Sequence, residues 1–217
     1  MERRYDVITF DCYGTLIDWE SGIAAAFRDA GVHRDRDELL RAYADAERSV
    51  EREEYRSYRE VLTEAASRVT GSDGAFLAES LPRWTAFADT NAALERLRAA
   101  GYQLGILSNT DDDLLAATRG HFTVDFDLIV TAQQVRSYKP AHGHFLAARK
   151  WIGEKRWLHA AQSNFHDVAP ATELGIPNAW VNRHEQRDGV TPTFEVRDLN
   201  GLADVLAGQA EARPTFG

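Results

Sequence analysis

Four polar clusters in this chain carry the residue types of a nucleophilic site. Asp11 follows the apolar run Val7, Ile8, Thr9, Phe10 and opens the segment Asp11-Cys12-Tyr13-Gly14-Thr15-Leu16. A carboxylate delivered by a rigid strand end is a candidate nucleophile, whereas an Asp in that place also caps helices and starts turns; taken alone, Asp11 supports both readings equally. Ser108-Asn109-Thr110 follows Leu104-Gly105-Ile106-Leu107 and offers hydrogen-bond donors, although the same residue types are ordinary helix caps. Lys139 precedes Pro140, which holds its backbone extended and aims its amine, while most lysines are simply solvated. Gln162-Ser163-Asn164-Phe165-His166-Asp167 ends in another carboxylate, and capping explains one of these groups but not the set. Together the clusters supply a nucleophile, donors, a cation and a second acid.

The elements that must position them alternate in type. Val7–Phe10, Leu104–Leu107, Leu128–Val130, Leu158–Ala161 and Ala179–Val181 read as strands, separated by helical stretches such as Ala92–Ala100, Leu114–Arg119 and His144–Ile152. That alternation implies an α/β fold: a parallel sheet with helices on both faces. All four clusters then fall at matching strand ends, the edge where such sheets bind ligands. Gly14 lets the chain turn sharply just past Asp11. From Ala24 to about Arg68 the texture changes to Arg, Glu and Asp with apolar residues at helical spacing, among them Leu39, Leu40, Tyr43, Tyr55, Tyr58, Val61 and Leu62. This helical block is inserted after the first strand. The end of the chain, Gly208 to Gly217, is expected to be loose.

Composition narrows the function classes. The chain has 217 residues, 44% of them hydrophobic, which is enough for a substantial core and a smaller second unit. A formal net charge of −9 disfavours a broad nucleic-acid footprint but still allows a small anion where a local Lys or Arg reverses the field. No apolar run is long enough to span a bilayer, and Met1–Asp6 leads into the first strand without a signal-like segment, so a soluble cytoplasmic protein is expected. Cys12 is the single cysteine, read as a small buried filler rather than a catalytic thiol. His142 and His144 form an HxH pair, but no carboxylate or thiolate completes a metal set with them. The run Glu47–Glu54 reads as a solvated helix face.

The segment DCYGTL, the Ser108-Asn109 pair, the isolated Lys139-Pro140 and the terminal SNFHD resemble, in order and spacing, the four motifs of the haloacid dehalogenase superfamily, over nearly the whole chain. The resemblance implies a Rossmann-like core, residues 1–17 and 88–217, with an inserted α-helical cap, residues 18–87. One position then separates activities within the superfamily. Phosphatase members carry a second Asp two residues after the nucleophile to protonate the leaving alkoxide. Here that residue is Tyr13, and a phenol with a reference pKa near ~10 is a poor substitute. A halide leaves without a proton. FDCYGTL and SNFHD are similar to the 2-haloacid dehalogenase form of these motifs.

That likeness implies a two-step displacement in which Asp11 forms an ester with a small (S)-2-haloacid, and water then releases the (R)-2-hydroxyacid. Asp167 would handle the water, and Lys139 would pair with carboxylate charge and keep Asp11 ionised. Thr15, Ser108 and Asn109 would bind the substrate carboxylate and stabilise the oxyanion. Tyr13, Arg41, Asn164, Ser163, Trp19 and His166 are the further substrate-binding candidates, with Arg41 in the place of a halide-cradling cap arginine. Phe145 stands where the family often has tyrosine, and Gln162 where it has serine. No metal or other cofactor is expected. The partners expected are a small halogenated carboxylate and water, without nucleic acid or membrane, and with a homodimer left open. Two alternatives stay beside this reading: a Mg2+-dependent phosphatase holding the ion on Asp11, the residue-13 carbonyl and Asp167, and a non-catalytic module that binds a small carboxylate.

Overall fold

The computed structural model describes residues 3–211. The sheet has six parallel strands, β1 Val7–Phe10, β2 Gln103–Ser108, β3 Leu128–Thr131, β4 Trp157–Ala161, β5 Asn178–Val181 and β6 Phe194–Val196, in the spatial order β3-β2-β1-β4-β5-β6. β1 and β4 are buried at every residue, as strands covered on both faces must be, and this is why they read as continuous apolar runs. Strand order reverses between β1 and β4, so the crevice at their C-terminal ends is the natural ligand position. Asp11 follows one of these strands and Asp167 the other.

Between Asp18 and Phe87 the chain contributes four helices: α1 Trp19–Asp29, α2 Arg36–Glu51, α3 Tyr58–Thr70 and α4 Ala75–Ser80. Their starts follow from local chemistry. Asp18 and Asp35 accept backbone N–H groups of the first turns of α1 and α2, and Ser57 with Glu60 forms a reciprocal capping box on α3. The chain leaves and re-enters the sheet layer at one stitched point, where Asp18 N–H donates to Thr85 O at 2.9 Å and Phe87 N–H to Leu16 O at 3.0 Å. Ile23, Phe27, Tyr43 and Leu62 from the helices share one apolar cluster with Ile8 and Phe10 of β1.

The remaining helices, α5 Thr90–Ala99, α6 Asp112–Thr118, α7 Ala132–Val135, α8 Gly143–Ile152, α9 Ala169–Glu173 and α10 Leu199–Glu211, connect and cover the strands. α10 includes Gly208, so the end expected to be loose begins as helix, and 212–217 lie outside the described residues. β6 has three half-exposed or exposed residues and was not expected from the pattern. No helix among the described residues is long and apolar enough to cross a membrane.

Two contacts fix the inserted helices against the strand ends. The carboxylate of Asp111, just beyond β2, accepts the N–H groups of Tyr58 and Arg59, both at 2.9 Å, and so sits on the positive end of α3. Tyr138 OH donates to Arg56 O at 2.8 Å. Both anchors neighbour candidate site residues in sequence: Asp111 lies near Ser108, and Tyr138 adjoins Lys139.

Candidate active site

Lys139 is the hub of the site. Its Nζ donates to Asp11 Oδ1 at 2.9 Å, to Asp167 Oδ1 at 2.6 Å and to Leu107 O at 2.9 Å, which uses all three ammonium protons. Asp11 Oδ2 accepts from Thr15 Oγ1 at 2.8 Å, and Thr15 Oγ1 in turn accepts from Gln162 N–H at 2.9 Å. Gly14, at φ +102°, shapes the turn that brings Thr15 back over Asp11, and a Cβ there would sit 3.1 Å from the Trp19 indole nitrogen. Asn109 grips the backbone of Lys139 from both sides: Lys139 N–H donates to Asn109 Oδ1 at 2.7 Å and Asn109 Nδ2 donates to Lys139 O at 3.1 Å. The resemblance implied that Thr15 and Asn109 bind the substrate carboxylate and stabilise the oxyanion; in the structure the Thr15 hydroxyl holds Asp11 and the Asn109 amide holds the Lys139 backbone.

Exposure separates the two acids. Asp11 retains 8% of its surface, whereas Lys139 and Asp167 retain 1% each, so Asp11 is the more accessible of the two carboxylates. Burial raises the Asp11 pKa, Lys139 and Thr15 pull it back, and repulsion from Asp167 adds to the rise; the net direction is upward. Lys139 favours the ionised form of Asp11, as expected, but burial outweighs it. Asp167 goes the other way. Its burial is outweighed by the Lys139 charge and by hydrogen bonds from His159 and Lys139, which hold it well below the ordinary carboxylate range. Burial pulls the Lys139 ammonium down, but the two carboxylates more than offset it and its pKa is raised. Two buried polar atoms at the site have no hydrogen-bond partner in the protein: Ser108 Oγ and Asp167 Oδ2. Both residues are among those that line the cavity over Asp11.

A cavity of about 900 Å³ opens over Asp11 between the strand ends and the inserted helices. Tyr13, Trp19, Ser108, Asn109, Ser163, Asn164 and His166 are among its lining residues. Tyr13 OH pairs with Thr118 Oγ1 at 2.8 Å, and burial pushes its phenol pKa far above the ordinary value. Ser163 Oγ accepts His166 N–H at 3.0 Å and lies 3.1 Å from His166 Nδ1. Burial depresses the His166 pKa to about 4, so the ring is neutral at pH 7. Asn164 lines the cavity but holds the loop after β5: its Oδ1 accepts Val190 N–H at 2.9 Å and its Nδ2 donates to Val190 O at 3.0 Å.

Arg41 does not reach this cavity. It is exposed on α2, two residues and hence about 200° from buried Tyr43. The cavity arginines are Arg48 and Arg52, one turn apart on the face that Ala44 also lines. Helical periodicity counted from Ala44 could have found them. The same counting from Tyr43 places Glu47 and Glu51 on the cavity wall, which corrects the solvated-face reading of 47–54 at those two positions, while Arg48, Ser49 and residues 52–54 are exposed. Glu47 Oε1 accepts the hydroxyls of Tyr43 at 2.7 Å and Tyr58 at 2.8 Å. Burial and the Glu47 charge raise the Glu51 pKa well above its usual value.

Phe145 is buried away from the cavity, edge-on to His159 with ring centroids 5.2 Å apart. His144 is buried with Nε2 3.1 Å from Ser108 O, and His142 pairs with Glu173, so the HxH motif is split between two structural roles. Cys12 is a buried thiol whose pKa burial raises. Among the described residues no group of three or more His, Cys, Asp or Glu is arranged to hold a metal ion.

Known proteins resemble this chain in sequence and in fold. A family model described as haloacid dehalogenase-like hydrolase matches residues 5–157. An (S)-2-haloacid dehalogenase of Pseudomonas putida is 27% identical over 94% of this chain and 97% of its own length. A second from that organism, (S)-2-haloacid dehalogenase H-109, is 34% identical over 54% of this chain, and that match spans 55% of the relative. The L-2-haloacid dehalogenase of Xanthobacter autotrophicus, solved with chloropropionic acid covalently bound, has the same fold: TM-score 0.83 at 22% identity, covering 94% of this chain and 99% of that one.

Proposed function

The chain belongs to the haloacid dehalogenase-like hydrolase family, and from that premise we propose that it hydrolyses small (S)-2-haloacids to (R)-2-hydroxyacids through an ester on Asp11. The observation that carries this reading is the Asp11–Lys139–Asp167 cluster set beside a phenol, Tyr13, whose hydroxyl is committed to Thr118. An acceptor carboxylate faces the cavity, yet no carboxylic acid stands two residues on to protonate an alkoxide leaving group. Carbon–halogen cleavage is the chemistry that can do without one.

In the first step an Asp11 carboxylate oxygen attacks the carbon that bears the halogen. The new C–O bond forms as the C–X bond breaks, and the halide departs with the electron pair; attack from the rear inverts the carbon. Arg52 and Arg48, the latter also paired with Asp45 at 2.6 Å, are the cavity arginines that would meet the halide and the substrate carboxylate, and Ser108 Oγ has no hydrogen-bond partner in the protein. In the second step water adds to the Asp11 ester carbonyl while Asp167, through Oδ2, orients it and takes its proton. Collapse of the tetrahedral intermediate expels the hydroxyacid oxygen, which collects a proton, and Asp11 returns as a carboxylate. Tyr13, Trp19 and His166 form the wall around the reacting carbon. In this reading residues 18–87 act as a cap over a core of residues 1–17 and 88–217, and the enzyme works in the cytoplasm without a metal cofactor.

Single turnover of 2-chloropropionate with excess enzyme in oxygen-18 water tests the reading. The expected result is label in the peptide that contains Asp11 and unlabelled lactate. Label appearing directly in lactate would overturn the ester route. The phosphatase alternative predicts release of phosphate from a monoester that stops on chelation, whereas chloride release should be indifferent to chelator.

A further inference from the structure

Beneath the site, a chain of hydrogen bonds runs across the two central strands and ends on Asp167. The register of β1 against β4 sets Val7 opposite Trp157 and Thr9 opposite His159. Side chains two apart share a sheet face, so Trp157, Thr9 and His159 meet on one side. Trp157 Nε1 donates to Thr9 Oγ1 at 2.7 Å, Thr9 Oγ1 lies 2.9 Å from His159 Nδ1, and His159 Nε2 lies 3.0 Å from Asp167 Oδ1. Thr9 and His159 are completely buried.

Donor counting fixes the direction of this chain. An indole nitrogen can only donate, so Thr9 Oγ1 accepts from Trp157. The single hydroxyl hydrogen of Thr9 then has one acceptor among its contacts, His159 Nδ1. A neutral His159 whose Nδ1 accepts must carry its proton on Nε2, where it faces Asp167. Phe145 packs edge-on against the ring and holds its plane. Asp167 Oδ1 thus takes two donors, Lys139 Nζ and His159 Nε2, while Oδ2 is buried without a partner.

We infer that His159 is a positioning residue: locked by Thr9 as the Nε2–H tautomer, it pins one oxygen of Asp167 so that the other points at the water that opens the Asp11 ester. The assignment of a step rests on the dehalogenase reading; the tautomer and the pinning do not. Lys139 touches both acids and serves both steps. Of the two acids His159 touches only Asp167, so its loss should slow ester hydrolysis and spare alkylation.

Two measurements test this. Long-range nitrogen–proton NMR of the wild-type protein should show His159 with a bare Nδ1 and a protonated Nε2 at neutral pH, and Thr9→Val should mix the tautomers whereas Thr9→Ser should not. A protonated Nδ1 in the wild-type protein overturns the lock. Rapid quench with 2-chloropropionate should then show His159→Phe releasing one equivalent of halide at close to the wild-type rate, followed by turnover about 10- to 100-fold slower, with the Asp11 ester accumulating in the intact mass. His159→Gln, which keeps a donor at the same reach, should recover part of the second rate. Equal slowing of both steps in a folded His159→Phe, or unchanged turnover, overturns the positioning role. A wild-type protein that releases no halide refutes the dehalogenase reading, and the tautomer measurement still decides the lock.

Discussion

Replacing Lys139 with methionine removes a buried ammonium and leaves a side chain of similar length. Three hydrogen bonds disappear, two of them to carboxylates that are themselves nearly inaccessible: Asp11 at 2.9 Å and Asp167 at 2.6 Å. Removing one partner of a buried ion pair costs about 3–5 kcal/mol, because the remaining charge is neither solvated nor paired. Here two like charges remain, so one must take up a proton, as paired carboxylates do. The folded-state carboxylate pKa therefore rises further above its unfolded value of about 4. A group with a raised folded pKa stabilises the fold on the acid side and loses that contribution as pH rises through the folded value. The deficit of Lys139→Met relative to wild type should thus be widest in alkali, and should narrow by up to about 1.4 kcal/mol per pH unit as pH falls from the variant's raised pKa towards 4. Urea unfolding of both proteins between pH 5 and 8.5 measures it. A deficit that stays constant across this range would refute the account of Lys139 as the counter-charge of two acids. In the same variant the halide burst should vanish at neutral pH, since the shared proton blocks the nucleophile.

Three further outcomes are expected. In the wild-type enzyme the acid limb of kcat/KM should fall above the ordinary carboxylate value of about 4, because burial and Asp167 raise the Asp11 pKa and only the ionised acid attacks; a limb at or below that value contradicts the assignment. Asp111→Ala removes the carboxylate that accepts the Tyr58 and Arg59 N–H groups at the start of α3; unfolding stability should drop by about 1–2 kcal/mol, and KM should rise as the helices lose their seat beside Ser108. Glu51→Gln should lower KM for an anionic 2-haloacid several-fold at pH values where Glu51 is ionised, and have no effect on the acid side of its raised pKa, a pattern that a KM series across pH detects.

The sequence made the strand ends legible because that information is local. Val7–Phe10 and the runs before Ser108 and Asp167 are buried strands of β-branched, aromatic and small residues, and a residue that follows such a run stands at the sheet edge whatever else the chain does. What escaped was pairing. Whether Asn109 binds a ligand or the Lys139 backbone depends on a contact 30 residues away, and Asn164 is likewise taken up by Val190, 26 residues on. Neither residue type nor spacing encodes such a choice. Arg41 matches the family arginine only in its distance along the chain from Asp11, while helical phase, which the sequence does encode through Tyr43 and Ala44, brings Arg48 to the cavity instead. β6 left too faint a pattern, since three residues around Glu195 with no fully buried side chain do not alternate visibly. His159 was read as part of an apolar strand, and only the register against Thr9 shows that it is a polar device inside the core.

One lysine serves both acids, yet it does not make them alike. Asp11 keeps the larger surface and the higher pKa; Asp167 is closed off and held low by a second donor, His159. Environments that push two carboxylates apart in this way assign their roles. A more basic carboxylate is the better nucleophile once ionised, and Asp11 alone has the access to use that basicity at carbon. Asp167 is too weak a base to deprotonate water outright. Its value lies in a fixed charge with one uncommitted oxygen, which orients the water and takes its proton only as the C–O bond forms. Alkylation itself enforces the sequence of events, because forming the ester removes the charge on Asp11. In the dehalogenase reading Lys139 is then left with Asp167 as its one carboxylate partner in the protein, beside the His159 contact to the same oxygen.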